Sequence, residues 1–334
     1  MQHRLFYVLG LFMVTIFTMT CSDDDLSTNE DCSDLNADEF LTYDYNNFSG
    51  PSVSSTPIDA SKNVTSGPAS VRQSGNDVII SIPGIRVRTD DHNYRVTDFA
   101  VDENKGTCFQ TQSEFGSATT SVKTDILSVL VLDMSTSLES IIDDLKRYAK
   151  EYASTIVSSS DNSQVAVVFF SSRSAIEVTP FYGASDIASL HGEIDAFQDY
   201  QKRTALFQAT QRAIELVENT QFNGEKSLVV FTDGGDNDSN NPTALKSLIE
   251  SSSVNRFAIG LRGEDFRESD LNAIPTTLTN RVIANDASSL EQIFKTVTRG
   301  VISVYQIEYA RSDQELSRNE TIEVRFKMKT EKIE

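Results

Sequence analysis

Five oxygen-bearing side chains, two carboxylates and three hydroxyls, stand in three short segments of the sequence and could bind a metal ion together. They are Asp133, Ser135, Ser137, Thr204 and Asp233. The set contains no nitrogen or sulfur, and oxygen ligands alone suit a hard cation such as Mg²⁺, Mn²⁺ or Ca²⁺. The sequence therefore predicts a divalent cation site, provided that the fold brings the three segments together.

The composition argues against other kinds of site. The 334 residues include only three His and three Cys, and His3 lies in the extreme N-terminus. A zinc finger, a His-rich metal site and a Cys–His catalytic pair are therefore disfavoured. The 49 acidic and 29 basic residues give a formal net charge of −20. This balance argues against nucleic acid as the main partner, because neutralising phosphates needs clustered Lys and Arg.

The elements that must position these side chains alternate between strand and helix patterns. Apolar runs predict buried strands at 126–132, 165–170, 175–181 and 227–231, and two more short strands are expected at 257–261 and 281–284. Apolar stripes at helical spacing predict helices over 138–156, 187–197, 206–217, from 242 onward and 288–300. Such alternation predicts an α/β fold with a doubly wound, mostly parallel sheet of the Rossmann-like type. Ligands of such sheets bind at the carboxyl ends of the strands, where all three segments lie.

Local signals also predict helix ends. Asn241 precedes Pro242 and is expected to cap a helix that has proline in its first turn. Ser288 and Glu291 have the spacing of a capping box, and Gly300 is expected to stop the last helix.

Residues 126–302 resemble a von Willebrand factor A domain, also called the integrin I-type fold. The metal-ion-dependent adhesion site of that family uses an Asp-x-Ser-x-Ser motif, a distant Thr and a distant Asp. Here Asp133, Ser135 and Ser137 match the motif, Thr204 follows Asp133 by 71 residues, and Asp233 follows by 29 more. The agreement of order, strand context and intervals makes the set far more specific than either short motif alone.

The resemblance implies how the site works. Ser135, Ser137 and Thr204 would bind the metal directly through their hydroxyls, and Asp133 and Asp233 would often act through water. Neutral hydroxyls leave the cation under-neutralised, so an Asp or Glu of a partner protein can complete its coordination. The resemblance thus implies Mg²⁺, with Mn²⁺ or Ca²⁺ as alternatives, and a protein partner that presents an acidic side chain.

One departure from the family pattern concerns the residue before the Thr. It is often Gly in the family and is Arg203 here, with Lys202 beside it. These cations could repel the metal, pair with an acidic partner, or simply lie in a solvated loop. Two further acidic segments could be considered as cation sites. Asp236 and Asp238 carry a weak signal for a second cation, and residues 102–106 are expected to form a turn.

The N-terminus has the pattern of an export signal. Arg4 precedes an apolar stretch over 5–20, and Cys21 follows Thr20 in a sequence that resembles a bacterial lipobox, although Met19 is not small. We expect residues 1–20 to be a lipoprotein signal peptide and Cys21 to be lipidated; an uncleaved anchor and a plain secretory signal are the alternatives. The acidic residues after Cys21 resemble the surface-export signals of Bacteroidetes lipoproteins, or form a solvated spacer. The expected location is the outer membrane of a bacterial cell envelope, with the cell surface as one option.

Residues 21–75 are rich in Ser, Asn and Asp, and no Lys or Arg occurs between Arg4 and Lys62. This composition predicts a flexible acidic tether. Cys32 and Cys108 either pair, as extracytoplasmic cysteines can, or remain two thiols.

Alternating apolar residues predict half-buried strands on both sides of the central region. Two strands alone are marginal in water, so residues 76–125 and 303–334 are expected to pack together as one small antiparallel β-subdomain beside 126–302.

Three functions compete at this point. The favoured one is a lipid-anchored adhesion or scaffold protein that binds partners through its metal and is not an enzyme. A metal-assisted hydrolase is the second, although no activated nucleophile or histidine base accompanies the oxygens. The third is a structural module without metal, in which Lys202 and Arg203 keep the cation out.

Overall fold

The computed structural model describes residues 32, 35, 37, 39–44, 52–57, 63–66, 69–88, 94–104, 106, 108–115, 122–311 and 321–332. The predicted signal peptide and Cys21 lie outside these residues. Within the described part of the chain, no helix is long and apolar enough to cross a membrane.

Among the described residues, eight strands precede the central region. They are β1 (Glu39–Asp44), β2 (Ser52–Pro57), β3 (Asn63–Thr65), β4 (Ser70–Ser74), β5 (Asp77–Arg88), β6 (Tyr94–Asn104), β7 (Phe109–Ser113) and β8 (Val122–Lys123). The first four lie within 21–75, where the composition predicts a flexible tether. In β1 the side chains of Leu41 and Tyr43 are fully buried. They contribute to a core whose other strands come from distant parts of the chain, so the local composition underestimates the apolar surface available for folding.

The central sheet contains six strands: β9 (Ile126–Asp133), β10 (Gln164–Phe170), β11 (Ile176–Val178), β12 (Glu225–Thr232), β13 (Asn255–Leu261) and β14 (Arg281–Ala284). Their order is β11-β10-β9-β12-β13-β14. All neighbouring strands are parallel except β11, which runs antiparallel at one edge. The prediction of a mostly parallel α/β sheet is confirmed.

Helices cover both faces of this sheet: α1 (Ile142–Val157), α2 (Ile187–Ala196), α3 (Leu206–Asn219), α4 (Pro242–Ser251), α5 (Glu268–Leu271) and α6 (Leu290–Ile302). The alternation of side chains along β9 separates two cores. Leu130 and Leu132 pack in the core that holds α1, α2 and α6. Val129 and Val131 pack in the core that holds α3, α4 and α5. Both faces of β9 are therefore buried, which explains its continuous apolar sequence.

The predicted helix ends need correction. Helix α6 continues through Gly300 to Ile302, and a Cβ on Gly300 would lie 3.3 Å from a ring carbon of Phe257. Gly300 therefore allows close packing against β13 and does not stop the helix. Ser288 and Glu291 form no capping box, because Asp286 accepts the backbone N–H of Ser288. Asn241 precedes α4 with a left-handed φ of 52° and makes no side-chain cap.

Two strands follow α6: β15 (Val304–Ala310) and β16 (Thr321–Lys332). Strand β15 pairs with β5 and β8, and β16 pairs with β1 and β6, all antiparallel. The resulting sheets, β2-β1-β16-β6-β7 and β3-β5-β15-β8 with β4 beside β5, share one core. The segments before and after the central region thus form a β-sandwich, with strands from both ends of the chain in each sheet.

A disulfide and ion pairs reinforce this sandwich. Cys32 and Cys108 form a disulfide, which is one of the two alternatives left open by the sequence. Arg311 forms an ion pair with Glu103, and both side chains are almost fully buried. Arg325 forms another with Asp102 at 2.9 Å. The acids of the 102–106 segment are therefore used in ion pairs at the end of β6.

The sandwich and the central sheet are joined at the edge opposite the candidate site. A single residue, Ser303, separates α6 from β15. Strand β8 pairs with β15 three residues before β9 begins, so the chain enters and leaves the central region through paired strands. Arg86 of β5 also forms an ion pair with Glu225 at the start of β12.

Candidate metal centre

The last residue of β9, Asp133, carries a buried carboxylate in a fixed orientation. Asp133 is 0% exposed, and its Oδ1 accepts the backbone N–H of Ser135 at 2.9 Å. Its Oδ2 accepts the hydroxyl of Thr232 at 2.6 Å. The hydroxyl oxygen of Thr232 in turn accepts the N–H of Gly234 at 3.1 Å. Because both oxygens of Asp133 are held, the carboxylate cannot turn away from the site.

Hydrogen bonds of Ser135 and Ser137 connect the two carboxylates, beginning with the backbone N–H of Ser135 on Asp133. The hydroxyls of Ser135 and Ser137 lie 3.0 Å apart, and that of Ser137 donates to Oδ1 of Asp233 at 3.1 Å. This chain brings four of the five predicted ligand residues together across β9 and β12, although Asp133 and Asp233 are 100 positions apart.

Thr204 reaches the same place from the segment before α3. Its backbone N–H donates to Oδ1 of Asn237 at 2.8 Å, and its carbonyl accepts the N–H of Asn237 at 2.9 Å. The next residue, Ala205, donates its N–H to the carbonyl of Ser171 at 2.8 Å. Thr204 is only 5% exposed, so its position is fixed by loops that follow β10 and β12.

The absence of a side chain at Gly234 leaves room beside Thr204. A Cβ placed on Gly234 would lie 3.2 Å from the hydroxyl oxygen of Thr204, closer than most Cβ contacts allow. Ser137, Thr204, Asp233 and Gly234 line one cleft of about 460 Å³ at the carboxyl edge of the sheet. Ser137, Thr204 and Asp233 therefore border a cleft with space for a small ion, and hydrogen bonds join Ser135 and Asp133 to Ser137.

The charges at this site lack a compensating cation. Burial, followed by the charge of Asp233, raises the pKa of Asp133 from 3.8 to about 7, although hydrogen bonds from Thr232 and Ser135 oppose the shift. Burial also raises the pKa of Asp233, and the charge of Asp265 adds to this effect. Within the described residues, neither Asp133 nor Asp233 forms an ion pair with a Lys or Arg. A divalent cation would supply the missing positive charge.

The donor set fits a hard cation. Among the described residues there is no group of three or more His, Cys, Asp or Glu side chains arranged for a metal. The oxygens of the five predicted residues belong instead to two carboxylates and three hydroxyls, a mixture that suits Mg²⁺ or Mn²⁺ better than zinc. The residues present are thus compatible with the cation that the sequence predicts.

Residues of the rim hold the loops in place. Asp236 accepts the N–H of Phe207 at 3.2 Å and the hydroxyl of Ser239 at 2.5 Å, next to the first turn of α3. Asp238 forms an ion pair with Arg203 at 3.6 Å. Both acids therefore have structural partners, which disfavours the second cation weakly signalled by the sequence. Lys202 lines the cleft.

Sequence reasoning missed the residues that support the ligands. Thr232 and Asn237 orient Asp133 and Thr204, yet each lies outside the five-residue pattern. Glu264 and Asp265 follow β13 and line the cleft, but no motif marks them. Their only sequence signal is their place after predicted strands of the same sheet.

Comparison with protein families gives one match. The model for the von Willebrand factor type A domain matches residues 129–296, about half of the chain. No curated protein matches the sequence.

Solved structures with a similar fold come from varied sources. Proximal thread matrix protein 1 from the mussel byssus, with a zinc-occupied MIDAS motif, is 23% identical over 57% of this chain and 48% of its own, with a TM-score of 0.45. The pilus adhesin SpaC from Lactobacillus rhamnosus GG is 10% identical over 87% and 45%, with a TM-score of 0.46. BatB from Bacteroides thetaiotaomicron is 16% identical over 52% and 98%, with a TM-score of 0.40.

The chain spans about half the length of the first two of these proteins. The identities and TM-scores are too low for any of the three likenesses to support a conclusion about function.

Proposed function

The chain belongs to the von Willebrand factor type A domain family, and on that premise we propose that it binds a divalent metal ion and, through this ion, an acidic side chain of a partner protein. The observation that carries the proposal is the hydrogen-bonded chain from Ser135 through Ser137 to Asp233. Thr204 lines the same cleft as Asp233, and buried Asp133 accepts the backbone N–H of Ser135. Five oxygen donors from three separate segments converge there.

Each residue would have a distinct task. The hydroxyls of Ser135, Ser137 and Thr204 would hold the ion directly, as the family pattern implies. Asp133 and Asp233 would supply the negative charge that offsets its two positive charges. Because the direct donors are neutral, the ion keeps affinity for one more carboxylate, which a partner's Asp or Glu would provide. We propose Mg²⁺ as the ion, with Mn²⁺ or Ca²⁺ as alternatives.

The proposal reconciles the charge of the protein with an acidic partner. A chain with a net charge of −20 would repel a carboxylate at long range. A bound cation reverses the sign of the local field at the cleft. Binding to acidic partners should therefore depend on the metal, and nucleic acid is not a proposed partner.

We further propose that the protein acts outside the cytoplasm, on the outer membrane of a bacterial cell envelope and anchored there by a lipid on Cys21. The apolar stretch before Cys21 supports this location. So does the Cys32–Cys108 disulfide, because such bonds persist in oxidising compartments. Cells fed radiolabelled palmitate should label the wild-type protein and leave Cys21→Ser unlabelled. Equal labelling of both would contradict the anchor.

An adhesion or scaffold role is favoured over catalysis. Within the described part of the chain, the residues that line the cleft include neither His nor Cys as a base or nucleophile. The metal-free alternative is disfavoured because Asp238 already holds Arg203, one of the two cations that could exclude the ion. Metal-dependent turnover of an ester or phosphate panel would contradict the binding role.

Isothermal titration with Mn²⁺ tests the metal site. Asp133→Asn and Asp233→Asn should each weaken Mn²⁺ binding by at least about 10- to 100-fold, the range typical for loss of a supporting group. Asn keeps an acceptor for the N–H of Ser135, so folding should survive. Asp143→Asn is the matched control, because Asp143 is exposed on α1 and carries the same charge. Equal Mn²⁺ affinity in all four proteins would contradict the proposal.

A short peptide tests the role of the partner's carboxylate. With Mg²⁺ present, a capped Gly-Asp-Gly peptide should shift the amide resonances of the 133–137 and 232–235 segments, and capped Gly-Asn-Gly should not. Chelation of the metal should abolish the shifts. Binding of the Asp peptide that persists after chelation would contradict recognition through the metal.

A further inference from the structure

Charged residues of opposite sign lie on opposite sides of the candidate metal site. The strand order places β10 beside β9 and β13 beside β12, with the site between them. Lys202 belongs to the segment that contacts the loop after β10, since Ala205 donates its N–H to Ser171 at 2.8 Å. Glu264 and Asp265 follow β13, and the carbonyl of Asp265 accepts the N–H of Gly235 at 2.8 Å. A cation therefore flanks one side of the cleft and two acids flank the other.

These three charges differ from their neighbours because they have no ion-pair partner among the described residues. Neighbouring charges are paired: Arg203 with Asp238, Arg262 with Glu268 and Arg267 with Asp270. Lys202, Glu264 and Asp265 are all exposed, and all three line the cleft that contains Ser137, Thr204 and Asp233. They are thus available to a molecule that docks over the metal.

The two acids carry a cost in the free protein. Glu264 and Asp265 line the same cleft as Asp233, so three carboxylates border one opening. A like charge beside a carboxylate is unfavourable unless a cation compensates it. The metal can compensate Asp233, but Glu264 and Asp265 extend the negative surface to the rim, where a partner's cation could meet it.

We propose that this charge arrangement selects partner proteins in which a Lys or Arg flanks one side of the metal-binding acid. Glu264 and Asp265 would bind this Lys or Arg, and Lys202 would favour an acidic or neutral residue on the other side of the acid. The proposal rests on the proposed metal-dependent function and deepens it. The metal gives affinity for a carboxylate, and the flanking charges decide which carboxylates dock and in which direction.

The expected preference is modest because the rim is solvated. Exposed ion pairs change an equilibrium by less than about one order of magnitude, so we expect about a fivefold gain in affinity for the correct flanking charge. The gain should shrink as salt is raised from low to about 1 M, where charges are screened within a few ångströms. A contact that acted through packing would not respond to salt in this way.

Capped peptides with one Asp test the proposal, with Mg²⁺ present and by the same NMR titration. The probes are Gly-Lys-Gly-Asp-Gly-Gly, Gly-Gly-Asp-Gly-Lys-Gly and Gly-Gly-Asp-Gly-Gly-Gly, which place the Lys before the Asp, after it or nowhere. One Lys peptide should bind about fivefold more tightly than the neutral peptide. The Glu264→Gln/Asp265→Asn double variant should lose this preference, and the Asp143→Asn control should retain it.

Lys202 is tested with the opposite probe. A Glu is added to the Lys peptide that binds more tightly, on the side of the Asp opposite its Lys. The wild-type protein should bind this Glu peptide at least as tightly as it binds the same peptide without Glu. The same peptide should bind Lys202→Glu more weakly by about fivefold. Equal binding of the Glu peptide to Lys202→Glu and wild type would overturn the role of Lys202.

The outcomes separate this inference from the function on which it rests. If all Asp peptides bind with Mg²⁺ but equally, or if the Lys preference survives in the double variant, charge selection is overturned and the metal-dependent function stands. If no Asp peptide shows Mg²⁺-dependent binding, both are contradicted. Mn²⁺ titration of the double variant should still show tighter binding than Asp133→Asn, which shows that the substitutions leave the proposed metal ligands in place.

Discussion

Asp133 shows what the sequence can and cannot predict about a single residue. Its position at the end of a buried strand marks it as a candidate ligand, because carboxyl ends of parallel strands meet at one edge. Its orientation depends on the Thr232 hydroxyl, which comes from a neighbouring strand 99 residues away. Spacing motifs include residues that touch the ion and omit residues that hold them, and such supporting contacts are set by strand pairing that no local pattern encodes.

A test at this scale concerns the space beside Thr204. Gly234→Ala should weaken Mn²⁺ binding by about tenfold, because the new methyl group would stand 3.2 Å from the Thr204 hydroxyl oxygen and displace it. Gly192→Ala is the control, since a Cβ there meets nothing within 4 Å and Ala is the better helix residue. Titration of both variants with Mn²⁺ gives the comparison. Gly234→Ala with wild-type affinity would show that the site does not require this space.

At the scale of structural elements, the loops that follow the strands hold the candidate site residues in place. Asn237 holds Thr204 through two hydrogen bonds, and Asp236 meets the first turn of α3 in the same loop. The 234–239 loop therefore fixes the position of Thr204, although the sequence of this loop resembles an ordinary turn. Sequence reasoning places both loops at the same sheet edge, but the contacts between them depend on side chains that reach across the edge.

Removal of the Asn237 side chain tests this loop. Asn237→Ala leaves the nearly buried N–H of Thr204 without its partner, at a cost of about 1–3 kcal/mol. We expect faster amide hydrogen exchange in the 200–206 segment and weaker Mn²⁺ binding. Asn223→Ala is the control, because Asn223 lies exposed in a distant loop. If exchange in 200–206 stayed at the wild-type rate, Asn237 would not hold this segment.

Some strands and helix ends could be predicted from the sequence, and others could not. The buried strands β9, β10, β12 and β13 were predictable because an apolar run with turn signals at both ends has few other solutions. The prediction of a buried strand at 175–181 was wrong, because β11 covers only Ile176–Val178 and two of its three residues are exposed. The end of α6 was not predictable from the sequence, because Gly300 packs closely against the ring of Phe257 on another element. A glycine required for close packing and a glycine that stops a helix look identical in sequence.

The β-sandwich determines the architecture of the whole molecule. The N-terminal strand β1 pairs with the C-terminal strand β16, and the central region is inserted between them. The composition of 21–75 predicts a tether because its few apolar residues cannot form a core alone. The structure completes that core with residues of β6, β15 and β16. Long-range pairing of this kind is the property that composition cannot reveal.

The disulfide provides a test at this scale. Cys32 and Cys108 close a loop with a sequence separation of 76 residues. Loss of the bond in Cys32→Ser/Cys108→Ser should lower the free energy of unfolding by about 2–4 kcal/mol, because the unfolded chain gains entropy. Guanidinium denaturation measures this, and Mn²⁺ affinity should stay at the wild-type value because the bond lies in the sandwich. An unchanged denaturation midpoint would contradict a stabilising role for the bond.

The central claim is that the cleft between β9 and β12 holds a divalent cation. Anomalous diffraction from crystals soaked in Mn²⁺ tests it most directly, because the signal identifies both the metal and its position. The account predicts one strong anomalous peak at the cleft, in contact with the hydroxyl oxygens of Ser135, Ser137 and Thr204, and no such peak in Asp133→Asn crystals. Wild-type crystals without a peak between Asp133 and Thr204 at saturating Mn²⁺ would contradict it.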